Sequence, residues 1–392
     1  MIHPIRTWNR FCFGTTSARP LGVIRIGFGL LVLINLAFCT VDLDHWYSEI
    51  GFLQGDESRV LAGQFQHTPL HYFQSPLAIR AAFGFTALAA VGLTVGWRTK
   101  LMSMLCYGGM LAIHHRNLVS SSGADVLLMV FAFNVMLSPC GAAYSVDAWL
   151  ARRRRGGTAA EPLILLWPYR LFQFQSSLIY GLAAILKCGG SLWLNGTALH
   201  YVLNNSEVRR LDVTFLSQSP VLINMMTYSA VLFEFSLAFL IWFRAVRPAV
   251  IVIGVLLHLG ITITINIPIF GELMWLGYFA FLTPPEFNAF ARAVNVRAWF
   301  RRAEPIAAPI PTMLKPVAEE PPRALPATVA TPPAAASSPP PRPLTVRIDG
   351  PAPAIPTPHR PEPEPEAPPR QPTEREFAEA AMDPWESFQI LM

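Results

Sequence analysis

The feature that most restricts this chain is a series of apolar runs, each long enough for a helix to cross a bilayer and each set off by a charged loop. The hydrocarbon core of a membrane is about 30 Å thick, which takes roughly 20 helical residues. No water is present there to satisfy the backbone, so a crossing segment must pair its own N–H and C=O groups. The runs therefore predict an all-α polytopic membrane helix bundle. Eight spans are expected, over 20–41, 77–96, 101–118, 124–143, 163–187, 221–243, 246–267 and 270–290, the third cut short by His114, His115 and Arg116.

Beyond residue 302 the character changes. Of the 36 prolines, 12 precede residue 303 and 24 follow it, with almost no apolar periodicity among the latter. Residues 1–302 thus read as the membrane domain. Residues 303–392 read as a Pro/Ala/Glu-rich tail that cannot bury a core and is expected to be disordered. Near its end, Thr373 and Glu376 fit a capping box, with Phe377, Ala381 and Met382 able to share one face. That pattern suits either a transient helix or a docking peptide for a cytoplasmic protein partner.

The net charge of +5 gives no case for nucleic acid, because the basic residues sit in loops that set topology. Drawing eight spans places five basic groups on one side: Arg6, Arg10 and Arg19; Arg98 and Lys100; Arg152 to Arg155; Arg244 and Arg247; and Arg292, Arg297, Arg301 and Arg302. By the positive-inside rule that side is cytoplasmic, and both termini lie there. The opposite loop, 42–76, holds Asp42, Asp44, Glu49, Asp56 and Glu57. A bacterial inner membrane is the expected location. The N-terminus lacks a short apolar core followed by a cleavage site, so the first run is expected to stay as a helix. In the second long outer loop, Trp193 and Leu194 are expected to be buried in the membrane surface. No internal repeat of the transporter kind is visible.

The five cysteines are scattered and show no CxxC or Cys/His spacing, so neither a disulfide framework nor a metal site is expected. His67 and His71 are spaced i, i+4 but flank Pro69 and lack the HExxH pattern. His114 and His115 are adjacent and cannot share one helix face. Phosphate-cradling glycine loops and serine elbows are missing as well.

Polar residues inside the apolar runs carry the functional signal. At 100° per residue, Arg170, Gln173, Ser177, Tyr180 and Lys187 fall within an arc of about 100° on one helix face. Such a stripe must face protein or a wet cavity. Lys187, Asn117, Asp125, Asn266 and Glu272 are expected near the outer ends of their spans, with Glu234 and His258 deeper. Each has a plain reading beside the functional one. Lys187 either snorkels or acts as a base. Glu234 and His258 either bridge two helices or relay a proton. Asn117 and Asp125 either cap helices or line a pocket. Arg25 and Arg80 are expected to snorkel to opposite borders.

The segment WPYRLFQFQSSLIYGLAAILKCGGSLWLNGTALHY resembles the signature of the HTTM (horizontally transferred transmembrane) domain family, which includes vitamin K-dependent γ-carboxylase. PLGVIRIGFGLLVLINL, HHRNLVSSSGADVLLMVFAFNVMLSPCGAAYSVDAW, LFEFSLAFLIWF and VLLHLGITITINIPIFGELMWLGYFAF agree with it, so the resemblance covers about residues 15–290. It implies that Lys187 is a base toward a reduced, vitamin K-like quinone, with His258 and Asn117 matching polar residues of the family. The implied chemistry is deprotonation of the hydroquinone, attack by O2, removal of a carbon-bound proton by the resulting strong base, and addition of CO2. The carboxylase's large extracytoplasmic C-terminal part has no counterpart here, which weakens the case for glutamyl carboxylation. The site expected on all these grounds comprises Lys187, His258, Glu234 and Asn117 as catalytic groups, with Tyr180, Ser177, Asp125 and Asn266 lining the place for a lipid-soluble small molecule. The alternative is a non-enzymatic quinone- or lipid-binding or assembly protein, similar to the DoxX family, that recruits a partner through its tail.

Overall fold

The computed structural model describes residues 4–61, 66–156 and 162–294. The Pro-rich tail and its terminal capping box lie outside the described residues. The chain opens with α1 (Pro4–Phe13) and a short strand, β1 (Thr15–Ser17), before the first long helix, α2 (Arg19–Cys39). Two short helices, α3 (Leu43–Tyr47) and α4 (Gly55–Leu61), occupy the acidic loop. Then come α5 (Pro76–Val95), α6 (Thr99–Arg116), α7 (Gly123–Leu137) and α8 (Val146–Arg154), the last carrying most of the arginine run. Strand β2 (Leu163–Leu165) leads into α9 (Trp167–Gly189). The second long loop holds α10 (Ser191–Leu194) and α11 (Ala198–Asn204). Four more helices follow: α12 (Pro220–Leu240), α13 (Arg247–Thr264), α14 (Phe270–Tyr278) and α15 (Pro284–Val294).

Proline sets most of the borders. Pro20, Pro76, Pro168, Pro220 and Pro248 stand in the first turns of α2, α5, α9, α12 and α13. There the missing N–H is no loss, because a first-turn N–H has no partner within the helix. These five helices are long and apolar enough to cross a membrane. The other three expected spans are occupied differently. α6 has 18 residues but carries Lys100, His114, His115 and Arg116. α7 is apolar but has only 15 residues and is about 22 Å long, ending at Ser138 before Pro139. The expected 270–290 span is broken: α14 has 9 residues, a 3-10 turn follows at Phe279–Phe281, and Pro284 starts a separate α15.

α2 is the central helix. Of its apolar window 56% is buried inside the protein, against 22–39% for the other four long helices. Leu21, Ile24, Phe28, Val32 and Leu36 repeat at helical spacing and form its buried stripe. α2 packs on α5 and α14, α5 on α6, and α6 on α7; on the other side α9 packs on α12, α12 on α13, and α13 on α14. α14 therefore joins the two groups of helices.

The basic side is tied together locally. β1 and β2 pair antiparallel, Thr15 opposite Leu165 and Ser17 opposite Leu163, so the start of α9 is fastened to the lead into α2. Arg25 does not snorkel as expected: it is fully buried, and its Nη2 donates to the Tyr144 carbonyl at 2.6 Å. The room comes from Gly96, which ends α5 at φ +77°; any Cβ there would collide with Arg25 Nη1. Arg80 pairs with Asp44. Asp147 of α8 caps α6 from outside, accepting from Arg98 N (2.9 Å), Thr99 N (2.7 Å) and Thr99 Oγ1 (2.7 Å). Burial alone would push this carboxyl up, but those bonds and the nearby Arg25 charge hold it below its ordinary value.

Candidate functional site

The stripe on α9 meets protein along its length. At the basic end, Arg170 Nη1 donates to Gln173 Oε1 at 2.6 Å, and Gln173 Nε2 donates to the Ala280 carbonyl at 2.7 Å. Ser177 Oγ accepts from Trp242 Nε1 at 2.8 Å. One turn further, Tyr180 Oη stands 2.6 Å from His258 Nε2 on α13 and 2.8 Å from Tyr278 Oη on α14. Two turns beyond Tyr180, Lys187 Nζ donates to Glu234 Oε1 of α12 at 2.8 Å.

The Lys187–Glu234 pair is the central feature. The lysine is 4% exposed and the glutamate side chain 13%. Two charges so far from water are held only if they neutralise each other and are hydrogen-bonded. Lys187 therefore does not snorkel. Its ammonium also lies 5.1 Å from the centre of the Trp193 ring, a cation–π contact made by the loop that follows α9. Glu234 and His258, expected as partners of one another, are instead separate ends of one buried polar row: Glu234 bonds Lys187, and His258 bonds Tyr180.

Two atoms in this row lack a hydrogen-bond partner although buried: Glu234 Oε2 and His258 Nδ1. Thr262 Oγ1, one turn after His258, and Glu272 Oε2 at the start of α14 are in the same state. Unbonded buried polar atoms are uncommon in native interiors, and each marks a place where a water or ligand group would be stabilised.

The end of the row away from the basic side is roofed. Glu234 lies in the second half of α12, so the first half of α12 continues past the end of α9. α10 and α11 pack against that overhang: Tyr228 Oη donates to the Leu194 carbonyl at 2.8 Å, and Leu199 N donates to Thr227 Oγ1 at 3.3 Å. Trp193 is buried within the protein, whereas Leu194 is 60% exposed on its surface.

The remaining candidates lie elsewhere. Asp125 belongs to a second buried group. Its Oδ2 accepts from Ser122 N (2.8 Å) and Oγ (2.9 Å) in a reciprocal capping box at the start of α7. Its Oδ1 accepts from Asn35 Nδ2 of α2 at 2.8 Å, and His114 Nε2 is 4.0 Å away. Asn117 ends α6; its Oδ1 accepts from Val119 N and Ser120 N, and its Nδ2 donates to the Trp46 carbonyl at 2.8 Å. Asn266 accepts from Arg210 Nη2 at an exposed edge. His71 Nε2 faces the His115 carbonyl at 3.1 Å, and burial pushes that imidazole down from its ordinary range.

Of the eight expected site residues, the structure thus brings together Lys187, Glu234, Tyr180 and His258. It adds Tyr278 and Trp193 to them, and Asn35 and His114 to Asp125. Asn35 had a signal, a lone amide in an apolar run. Tyr278 had none, since WLGYFAF reads as apolar filling.

The family model of the HTTM domain matches residues 13–285. That range covers both buried polar groups and leaves out the tail. No curated protein and no solved structure matches the chain.

Proposed function

The chain belongs to the HTTM domain family, and from that premise we propose that it is a membrane enzyme whose buried lysine–glutamate pair handles a proton of a reduced, lipid-soluble quinone. One observation carries the reading: a lysine and a glutamate 2.8 Å apart, both withdrawn from water, with Glu234 Oε2 still unbonded. A carboxylate with one oxygen still open, next to an ammonium, suits a site that exchanges a proton.

The residues fit such a ligand by their donor chemistry, because Glu234 Oε2 and His258 Nδ1 are buried polar atoms in need of a partner. When bound, a hydroquinone supplies acidic hydroxyl groups and two reducing equivalents. Lys187 Nζ, once it has given its proton to Glu234 Oε1, is the base of the site. Tyr180, held between His258 and Tyr278, fixes the imidazole so that Nδ1 points away from the Tyr180 bond. Trp193 shields the ammonium from water on the outer side.

The topology proposed with this reading is eight crossings of a bacterial inner membrane, with α6, α7 and α14 as the short or polar ones and both termini cytoplasmic. Its support is that the loops carrying Lys100, Arg152 to Arg155 and Arg244 then share one side. The tail from residue 303 is proposed as a docking segment for a cytoplasmic protein.

The test is quinone-dependent turnover by the full chain in lipid vesicles, followed by the absorbance of the quinone. Wild type should consume reduced quinone and Lys187→Ala should not. Equal rates in the two would end the proposal. Saturable quinone binding by wild type without turnover would favour the non-enzymatic, quinone-binding reading.

A further inference from the structure

A cavity of about 390 Å³ opens on the basic side, remote from Lys187 along α9, among Phe11, Arg170, Trp242, Arg244, Arg247 and Thr283. That volume falls in the roughly 300–1,000 Å³ range of small-ligand sites. Its charge is one-sided. Arg247 Nη1 is matched by Glu286 Oε2 at 3.3 Å. Among the described residues neither Arg170 nor Arg244 has a carboxylate at ion-pair distance, so two guanidinium charges face the cavity without a counter-ion. Arg170 is fixed, not loose. Its Nε donates to the Phe11 carbonyl at 3.0 Å and its Nη1 to Gln173, and its Cζ lies 3.8 Å from the centre of the Phe11 ring. A guanidinium held this way presents its remaining donors in a set direction, the geometry that suits a phosphate.

The depth of the cavity indicates the source of the phosphate. α1, which supplies Phe11, is strongly amphipathic, with Ile5, Trp8 and Phe13 exposed on it beside Arg6 and Arg10. A helix of that kind lies in the plane of the headgroup layer. The cavity wall thus lies where phosphates of the bilayer are already concentrated. α9 also starts here, and its N-cap residue Leu166 makes no side-chain cap bond, so the positive end of the helix dipole adds to the arginines.

We propose that this cavity is a phosphate-binding site, occupied by the headgroup of an anionic membrane lipid and held chiefly by Arg170 and Arg244. The proposal is independent of the quinone reading, since it uses no residue of the Lys187 group.

The test follows the unfolding temperature of the purified full chain in detergent during titration with phosphatidylglycerol, with phosphatidylcholine (whose phosphate is covered by its own choline) or with inorganic phosphate. Wild type should show a saturable rise with phosphatidylglycerol and none with phosphatidylcholine. Arg244→Gln, at an exposed residue, should need about fivefold more lipid. Arg170→Gln/Arg244→Gln should lose the response. Arg153→Gln/Arg154→Gln removes the same charge from α8 and should keep it. An equal, saturable response to inorganic phosphate, lost in the same variants, would support the site and assign it to a soluble phosphate source. If Arg244→Gln responds like wild type, or if the α8 variant loses the response to the same degree, the proposal is overturned. Should the double variant fail to fold, the Arg244→Gln titration decides alone.

Discussion

Replacing Lys187 by Met removes the ammonium while keeping the length and most of the apolar stem of the side chain. Glu234 is then left as an unmatched carboxylate at a site where the lysine was 4% exposed and its own side chain 13%. Breaking a buried ion pair from one side costs about 3–5 kcal/mol, because the remaining charge keeps its desolvation penalty and loses its partner. The lost contact with Trp193 adds about 0.5–1 kcal/mol. At about 2 °C per kcal/mol for a chain of this size, Lys187→Met should unfold roughly 7–12 °C below wild type. Glu234→Met should lose a similar amount. The double variant Lys187→Met/Glu234→Met should recover most of it, since replacing both charges by apolar groups is near neutral or stabilising. The assay is thermal unfolding of the four proteins in one detergent, read as a double-mutant cycle. The expected coupling is at least ~3 kcal/mol. If each single change costs less than ~1 kcal/mol and the two costs add, the pair is hydrated in solution and the reasoning from burial fails.

Three further outcomes are expected. Gly254→Ala should destabilise by about 1–3 kcal/mol, because the new Cβ would stand 2.5 Å from the Tyr278 Oη that Tyr180 holds; Gly260→Ala on the same helix meets nothing and should be neutral or gain stability, and the reverse order in thermal scans would refute the packing. Asp147→Ala should cost about 1 kcal/mol at neutral pH by uncapping α6. Its folded carboxyl titrates below the unfolded value of about 3.9, so this contribution is complete above that value and fades as pH falls through the folded one. The gap between wild type and variant should therefore narrow in strong acid, and a gap that widened there would contradict the sign. Finally, single cysteines in a cysteine-free background at Arg153 and at Glu57 should react with an impermeant thiol reagent from opposite sides of sealed vesicles; labelling from one side would overturn the eight-crossing topology.

The helices were largely legible in the sequence, and the lapses share a cause. Reading apolar length alone extended α7 through Ser138-Pro139, joined α14 to α15 across Pro284-Pro285, and began α9 at residue 163, where β2 lies. Each proline was visible, and each marks a border that hydropathy does not see. The α9 stripe was legible because helical period alone decides which residues share a face. Its partners were not. Depth in neighbouring spans points Glu234 toward His258, yet its pairing with Lys187 depends on how far α12 overhangs α9. That overhang is set by α10 and α11 packing on Thr227 and Tyr228, which no local pattern encodes. Asn117 and Asp125 carry recognisable capping chemistry, Ser122 three residues before Asp125, and the structure shows that chemistry in place.

The roof that α10 and α11 form over the first half of α12 also decides which part of the chain borders the buried pair. The Trp193 indole, 5.1 Å from the Lys187 ammonium, belongs to α10, so a short connecting helix and not one of the long ones supplies that side of the pair's surroundings. Changes in that short helix would reach the pair without altering the packing of α9 on α12.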